Sequence, residues 1–247
     1  MTDAEIARRA LPLLDLTDLS DSCTEATVAA LCGAARASGV AAVCVWPRFI
    51  AQAARALAGS GVRVATVINF PAGGADTMRA VTDTQTALAD GADEIDLVLP
   101  YHALHDNHPE VAGTLVEAVR AVCSGACLKV ILETGMLETP DRIGQASRLA
   151  LSAGADMLKT STGKTAVSAT PEAAEIMLQA IRDGGGGQGL KVSGGIRTVA
   201  DAALYLALAD RIMGPDWANP GTFRIGASAL HGALVAAQSP VAEGSAR

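Results

Sequence analysis

One pattern of apolar and polar positions recurs along most of this 247-residue chain. An alanine-rich stretch with helical spacing runs into a glycine, and a short apolar run begins within three residues of it. The glycines are Gly39, Gly61, Gly91, Gly125, Gly154 and Gly189, about 22 to 35 residues apart. Glycine suits the left-handed position just past a helix, so the repeat reads as αβ punctuation and its spacing fits successive βα units. The apolar runs predict strands at Leu11–Leu16, Ala41–Trp46, Arg63–Asn69, Glu94–Leu99, Leu128–Thr134, Met157–Thr160, Leu190–Ser193 and Thr222–Gly226. Helices are expected over Thr24–Ser38 and from Pro47 to near Ser60. The histidine-rich stretch after Pro100-Tyr101 and the run Gly184–Gly187 read as loops, Met213–Gly221 as irregular, and Ser239–Arg247 as a loose tail. Eight strands, each followed by a helix, predict a single (β/α)8 barrel of the TIM type over residues 1–247. A doubly wound sheet is the alternative, but no composition shift marks a linker.

Side chains alternate across a strand, so parity sorts each run into two faces. In strand four Ile95, Leu97 and Leu99 oppose Glu94, Asp96 and Val98. In strand five Val130 and Leu132 oppose Lys129, Ile131 and Glu133. Leu158 opposes Lys159, and Leu190 and Val192 oppose Lys191 and Ser193. The uniformly apolar face packs on the helices, which turns the charged face into the barrel. Buried charges are costly unless paired, and here acids and lysines come from adjacent strands. A structural ion-pair network is one reading. A catalytic site is the other, because several of these groups lie near the C-terminal strand ends where barrel sites are built. Asp15 shares parity with Leu13 and Thr17 and is expected to join them.

Composition narrows the chemistry. A net charge of −7 leaves no basic stripe for a nucleic acid, while a small anion needs only a local site. The five cysteines, Cys23, Cys32, Cys44, Cys123 and Cys127, contain no Cys-x-x-Cys pair and suit a reducing compartment. The acidic start Met1-Thr2-Asp3-Ala4-Glu5 lacks a signal-peptide core, and no apolar run reaches the ~18 residues of a membrane span, so a soluble cytoplasmic protein is expected. No cluster with zinc-ligand spacing is evident, and His102, His105 and His108 read as solvated, so no metal and no cofactor is expected.

Only four of the 19 basic residues are lysine. Three of them, Lys129, Lys159 and Lys191, lie inside apolar strand-like runs. A neutral amine can attack a carbonyl and a guanidinium cannot, so one of these lysines is expected to be a nucleophile. The fourth, Lys164, sits in Ser161-Thr162-Gly163-Lys164-Thr165. That stretch resembles the end of a P-loop, but the required earlier glycine is Leu158, within a strand. The small residues and the lysine still suit a phosphate. So do Ser193-Gly194-Gly195 after strand seven and Gly226-Ala227-Ser228 after strand eight, the usual phosphate position in such barrels, although tight turns alone would explain each glycine separately.

Assembled, these residues resemble the deoxyribose-phosphate aldolases, a class I aldolase family. The resemblance rests on Asp15-Leu16-Thr17, Cys44-Val45-Trp46-Pro47-Arg48-Phe49, Gly91–Asp96, Leu128–Gly135, Lys159–Lys164, Lys191–Arg197 and Arg224–Ser228, in family order over nearly the whole chain. It implies Lys159 as the Schiff-base lysine, Lys191 as its neighbouring cation and Asp96 as the proton-relay carboxylate. Asp15, Thr17, Cys44 and Lys129 are implied as supporting residues, and Gly163, Lys164, Gly194, Gly195, Gly226 and Ser228 as the phosphate cradle. The implied reaction is metal-free, reversible cleavage of 2-deoxy-D-ribose 5-phosphate to D-glyceraldehyde 3-phosphate and acetaldehyde. The expected partners are small phosphosugars and aldehydes, with a homodimer as the working assembly. Two positions depart from some members: no tyrosine ends the chain, and Ala229 replaces a second serine beside Ser228. A different Schiff-base aldolase, a phosphosugar isomerase and a non-catalytic sugar-phosphate sensor are the competing readings.

Overall fold

The computed structural model describes residues 1–238; the predicted loose tail, 239–247, lies outside the described residues. Eight parallel strands close into a barrel in simple chain order, with the eighth pairing the first. They are β1 (Leu14–Asp18), β2 (Ala42–Val45), β3 (Arg63–Ile68), β4 (Glu94–Val98), β5 (Cys127–Ile131), β6 (Met157–Lys159), β7 (Gly189–Ser193) and β8 (Phe223–Ala227). The helices are α1 (Asp3–Ala10), α2 (Glu25–Ser38), α3 (Ile50–Leu57), α4 (Thr77–Ala89), α5 (Tyr101–His105), α6 (Pro109–Val122), α7 (Thr134–Leu137), α8 (Pro140–Ser152), α9 (Pro171–Asp183), α10 (Val199–Met213) and α11 (Leu230–Gln238). Among the described residues, no helix is long and apolar enough to cross a membrane.

Local chemistry starts these helices where the sequence puts it. Thr24, Asp76, Thr139, Thr170 and Thr198 each accept a hydrogen bond from a first-turn N–H, satisfying a donor that the helix leaves unpaired. Thr139 and Thr170 precede Pro140 and Pro171, whose missing N–H costs nothing in the first turn. The outward strand faces are apolar as parity requires. Leu14, Leu16, Val43, Ile95, Leu97, Leu128, Val130, Leu158, Leu190, Val192 and Ile225 are buried in the layer beneath the helices.

Several boundaries differ from the sequence reading. Leu11–Leu13 is a 3-10 turn begun by Pro12, so β1 starts at Leu14 rather than Leu11. The amphipathic α1 before it, held by the reciprocal Thr2–Glu5 capping box, buries Ile6, Ala7 and Ala10 and packs on α10 and α11. β5 ends at Ile131. Glu133, expected within it, has a left-handed backbone (φ 54°) and caps α7. His102 and His105 lie on α5 rather than in a loop, and His105 Nε2 lies 2.6 Å from the Met136 carbonyl oxygen. After Pro47–Phe49 forms a 3-10 turn, α3 ends at Leu57, short of Ser60.

The glycines also divide. Gly39 is the left-handed cap of α2, at φ 67° with nothing near the position a Cβ would take. Gly189 is the first residue of β7 and lacks positive φ; an added Cβ would lie 2.7 Å from the Thr222 carbonyl oxygen and 2.8 Å from Met157 Cε. Its smallness serves barrel packing rather than helix ending. The two alanine substitutions therefore test different physics. Gly39→Ala is expected to cost about 1 kcal/mol through backbone strain. Gly189→Ala is expected to cost about 1–3 kcal/mol through overpacking. Urea midpoints, with unchanged slopes, would measure both.

Candidate active site

The barrel interior is chemically lopsided because inward parity meets different residue types on different strands. On β2 and β3 the inward residues Ala42, Cys44, Ala65 and Val67 form a small apolar cluster with Leu19. The remaining strands contribute Asp15, Glu94, Asp96, Lys129, Lys159, Lys191 and Arg224, all buried. The register aligns Asp96 with Lys129, a pair of opposite charges, and sets Lys159 level with Lys191, two like groups that meet through Asp96.

Asp96 is the shared centre. Its Oδ1 accepts from Lys129 Nζ at 2.9 Å, and its Oδ2 accepts from both Lys159 and Lys191 at 2.7 Å. Lys191 Nζ also lies 2.6 Å from Asp15 Oδ2. Lys129 reaches Glu94 as well, and Arg224 donates to both Asp15 and Glu94. Burial alone would raise the Asp96 carboxyl, but Lys129, Lys159 and Lys191 hold it well below the usual carboxylate range. Burial would lower Lys129 and Lys191 too; their carboxylate partners raise both instead. Lys159 goes the other way. Burial pushes its amine down, Asp96 opposes that, and the Lys191 ammonium adds to it. Desolvation is thus the leading cause, ahead of the neighbouring Lys191 ammonium. The lysine at the C-terminal end of β6 is the one biased toward the free amine.

Beside this cluster, the loops after β1, β6, β7 and β8 enclose a cavity of about 490 Å³. Gly163, Lys164, Gly194, Gly195, Gly226 and Ser228 all line it, as does Thr17. Gly163, Gly194 and Gly195 have φ of 76°, 89° and 83°, which turns the backbone in a way side-chain-bearing residues resist. At Gly194 an added Cβ would lie 2.6 Å from Ser168. At Gly226 it would lie 2.9 Å from Lys191 Cε and 2.8 Å from Ser193 Oγ, so Lys191 crosses the backbone where only glycine leaves room. Lys164 Nζ donates to the Leu19 carbonyl at 2.8 Å, and Ser228 Oγ donates to the Thr17 carbonyl at 2.6 Å. Cys44 is inside the barrel, but on the apolar wall, where burial pushes its thiol up.

Two parts of the site escaped parity reading. Arg224, one letter of a motif in the sequence, lies inside the barrel in parity with Gly226 on β8. Glu133, whose alternation predicts a strand face, lies beyond the end of β5. Its buried carboxylate instead accepts from the Thr162 N–H, from the Thr162 hydroxyl and, at 3.2 Å, from the Thr165 hydroxyl. The Thr162 hydroxyl in turn accepts from the Lys164 N–H at 3.0 Å, so Glu133 fastens the loop carrying Lys164.

Comparison with known proteins agrees with this geometry. The sequence model described as "DeoC/LacD family aldolase" matches residues 9–230. A curated deoxyribose-phosphate aldolase from Agrobacterium fabrum is 51% identical over 231 residues, 92% of this chain and 89% of that protein. The tetrameric deoxyribose phosphate aldolase of Aeropyrum pernix superposes with a TM-score of 0.79 at 27% identity, covering 97% of this chain and 94% of that one. A Toxoplasma gondii structure does so with a TM-score of 0.87 at 28% identity, covering 96% and 97%. With the family model matching through all eight strands and the buried lysines gathered on one carboxylate, the chain belongs to the DeoC/LacD family of aldolases.

Proposed function

We propose that the protein catalyses reversible cleavage of 2-deoxy-D-ribose 5-phosphate to D-glyceraldehyde 3-phosphate and acetaldehyde through a Schiff base on Lys159. The observation that carries this reading is the Lys159 amine itself, buried, lowered by desolvation and 2.7 Å from Asp96. A lysine at the ordinary value near 10.4 is almost wholly protonated at neutral pH and a poor nucleophile. In this site Lys159 adds to the C1 aldehyde of the open-chain sugar, and loss of water gives a protonated imine. That nitrogen accepts the electron pair of the C2–C3 bond as it breaks, and the C3 hydroxyl loses its proton. The three-carbon phosphate leaves as an aldehyde and the two-carbon fragment stays as an enamine. Protonation at C2 and hydrolysis then release acetaldehyde and free the amine.

Asp96 is the proton carrier in this scheme, directly or through a water. Its two neighbouring ammoniums keep it ionised and ready to accept. Lys191 holds a fixed positive charge beside the amine, while Lys129 and Asp15 keep Asp96 and Lys191 in place. Thr17 shapes the mouth through its carbonyl, and Cys44 supplies small apolar lining. The phosphate is read into the glycine-lined cavity, where Lys164 and the N–H groups of the β7 and β8 loops supply positive potential. The single domain of residues 1–247 and a cytoplasmic location belong to the same reading. Sedimentation velocity distinguishes the expected homodimer from a tetramer like that of the Aeropyrum pernix protein.

The primary test is coupled detection of D-glyceraldehyde 3-phosphate released from deoxyribose 5-phosphate; a folded protein that releases none refutes the activity. Lys159→Arg keeps the charge but cannot form an imine, so turnover is expected to disappear while the fold stays. Lys191→Arg keeps a cation in altered geometry and is expected to leave a reduced, measurable rate. Borohydride trapping with acetaldehyde, followed by peptide mass mapping, should place the adduct on Lys159. An adduct on Lys191 or Lys129 reassigns the nucleophile.

Phosphate-free deoxyribose should be a much poorer substrate, by about 100-fold or more in kcat/KM, because remote binding orients the reacting carbon. Equal kcat/KM for the two sugars removes the glycine-lined cavity from the mechanism.

A further inference from the structure

We infer that Arg224 and Glu94, at the N-terminal side of the barrel interior, set the charge state of Lys159: Arg224 occupies carboxylates that would otherwise hold Lys159 as an ammonium. The inference rests on the Schiff-base reading of Lys159. It assigns Arg224 a positioning role, since its side chain bonds to Asp15, Glu94 and the Pro220 carbonyl, and not to Lys159.

The geometry is a bridge. Arg224 Nη1 donates to Asp15 Oδ1 at 2.6 Å and Nη2 to Glu94 Oε1 at 2.8 Å, so one planar fork spans carboxylates from β1 and β4. Both acids also face lysines: Glu94 bonds Lys129, and Asp15 lies beside Lys191 and Lys129. Around Lys159, β1 presents Asp15, β4 presents Glu94 and Asp96, β5 Lys129 and the Cys127 thiol, which burial pushes up, β7 Lys191 and β8 Arg224, while β2 presents the neutral Cys44 and β3 only Ala65 and Val67. Beyond β5, the buried Glu133 is bound by Thr162 and Thr165 and takes no part in the ion pairs.

The charges of this connected set balance in one way. Asp15, Glu94 and Asp96 carry the negative charge; Lys129, Lys191 and Arg224 carry an equal positive charge. The set is neutral with Lys159 as the free amine. A fourth cation would be an uncompensated charge in a water-poor interior, which is strongly disfavoured. The directions agree: the amines of Lys129 and Lys191 and the Arg224 guanidinium are raised by their acidic partners, and Lys159 alone of the cationic groups is lowered, chiefly by burial. Removing Arg224 frees negative charge for Lys159 to neutralise, and removing the Glu94 charge does the opposite.

The test is the pH dependence of borohydride-trapped imine formation at Lys159 with acetaldehyde, in the full chain. The neutral amine attacks, so the rate falls as pH drops through the Lys159 pKa. Arg224→Gln should raise that pKa and move the acid limb to higher pH by about one to three units, with activity recovered at alkaline pH. Glu94→Gln should move it to lower pH. The double variant removes one charge of each sign and should return the limb to the wild-type position, and Arg224→Lys should leave it there. A purely structural role would lower rates at every pH without opposed, mutually cancelling shifts. A folded Arg224→Gln with an unmoved acid limb overturns the inference. Should that variant fail to fold, Glu94→Gln and the double variant decide, and an unmoved or upward limb in Glu94→Gln overturns it equally. Wild-type protein with no adduct on Lys159 would instead sink the Schiff-base reading on which the inference rests.

Discussion

The molecule depends on one carboxylate shared by three lysines. Asp96 is fully buried, and without cations it would be expelled or protonated. The three lysines around it hold it ionised, but a single negative charge cannot keep three amines fully protonated in a medium that screens poorly. Lys129 and Lys191 have second acidic partners, Glu94 and Asp15. Lys159 has none among the ion pairs of the described residues, so burial, the first cause, lowers its amine while the other two are raised. In the proposed reaction, nucleophilicity follows from burial combined with unequal sharing of a scarce anion.

That sharing is built by barrel geometry. Strand alternation turns every second residue inward, and the parallel register sets Lys159 level with Lys191 and Asp96 level with Lys129. The apolar half of the interior matters as much. Ala42, Cys44, Ala65 and Val67 supply no charge to satisfy the lysines from the other side, so the electrostatics run across β4 to β8 and back through β1. Glycines then bring this cluster against the neighbouring cavity, most directly at Gly226, where the backbone passes beneath Lys191.

The barrel and the inward charges were legible because period-two alternation is enforced wherever one strand face must be apolar. Leu158 beside Lys159 and Leu190 beside Lys191 carry that information in adjacent letters. Less legible were features that depend on contacts between distant segments. The helix α1 has a clear capping box, but its apolar residues acquire meaning only against α10 and α11. Glu133 alternates like a strand residue, yet its backbone is left-handed and its carboxylate is bound by hydroxyls 29 and 32 positions away. Gly189 and Gly39 share a sequence context of alanine-rich helix followed by strand, and only packing against Met157 and Thr222 separates their roles. Arg224 looks like one more surface cation in a chain rich in arginine until β8 closes against β1.

That closure has a consequence for how the protein matures. The bond from Arg224 to Asp15 spans 209 positions of the chain and joins its first strand to its last. Contacts of such separation are slow to form, and a chain emerging from the ribosome builds its N-terminal elements first. Until β8 docks, Asp15 and Glu94 stand without their guanidinium and the lysines see surplus negative charge. By the same charge balance, Lys159, Lys191 and Asp96 in their own strands do not suffice for a free amine before Arg224 takes its place. On the charge balance inferred for Arg224, chemical competence arrives only with the final strand.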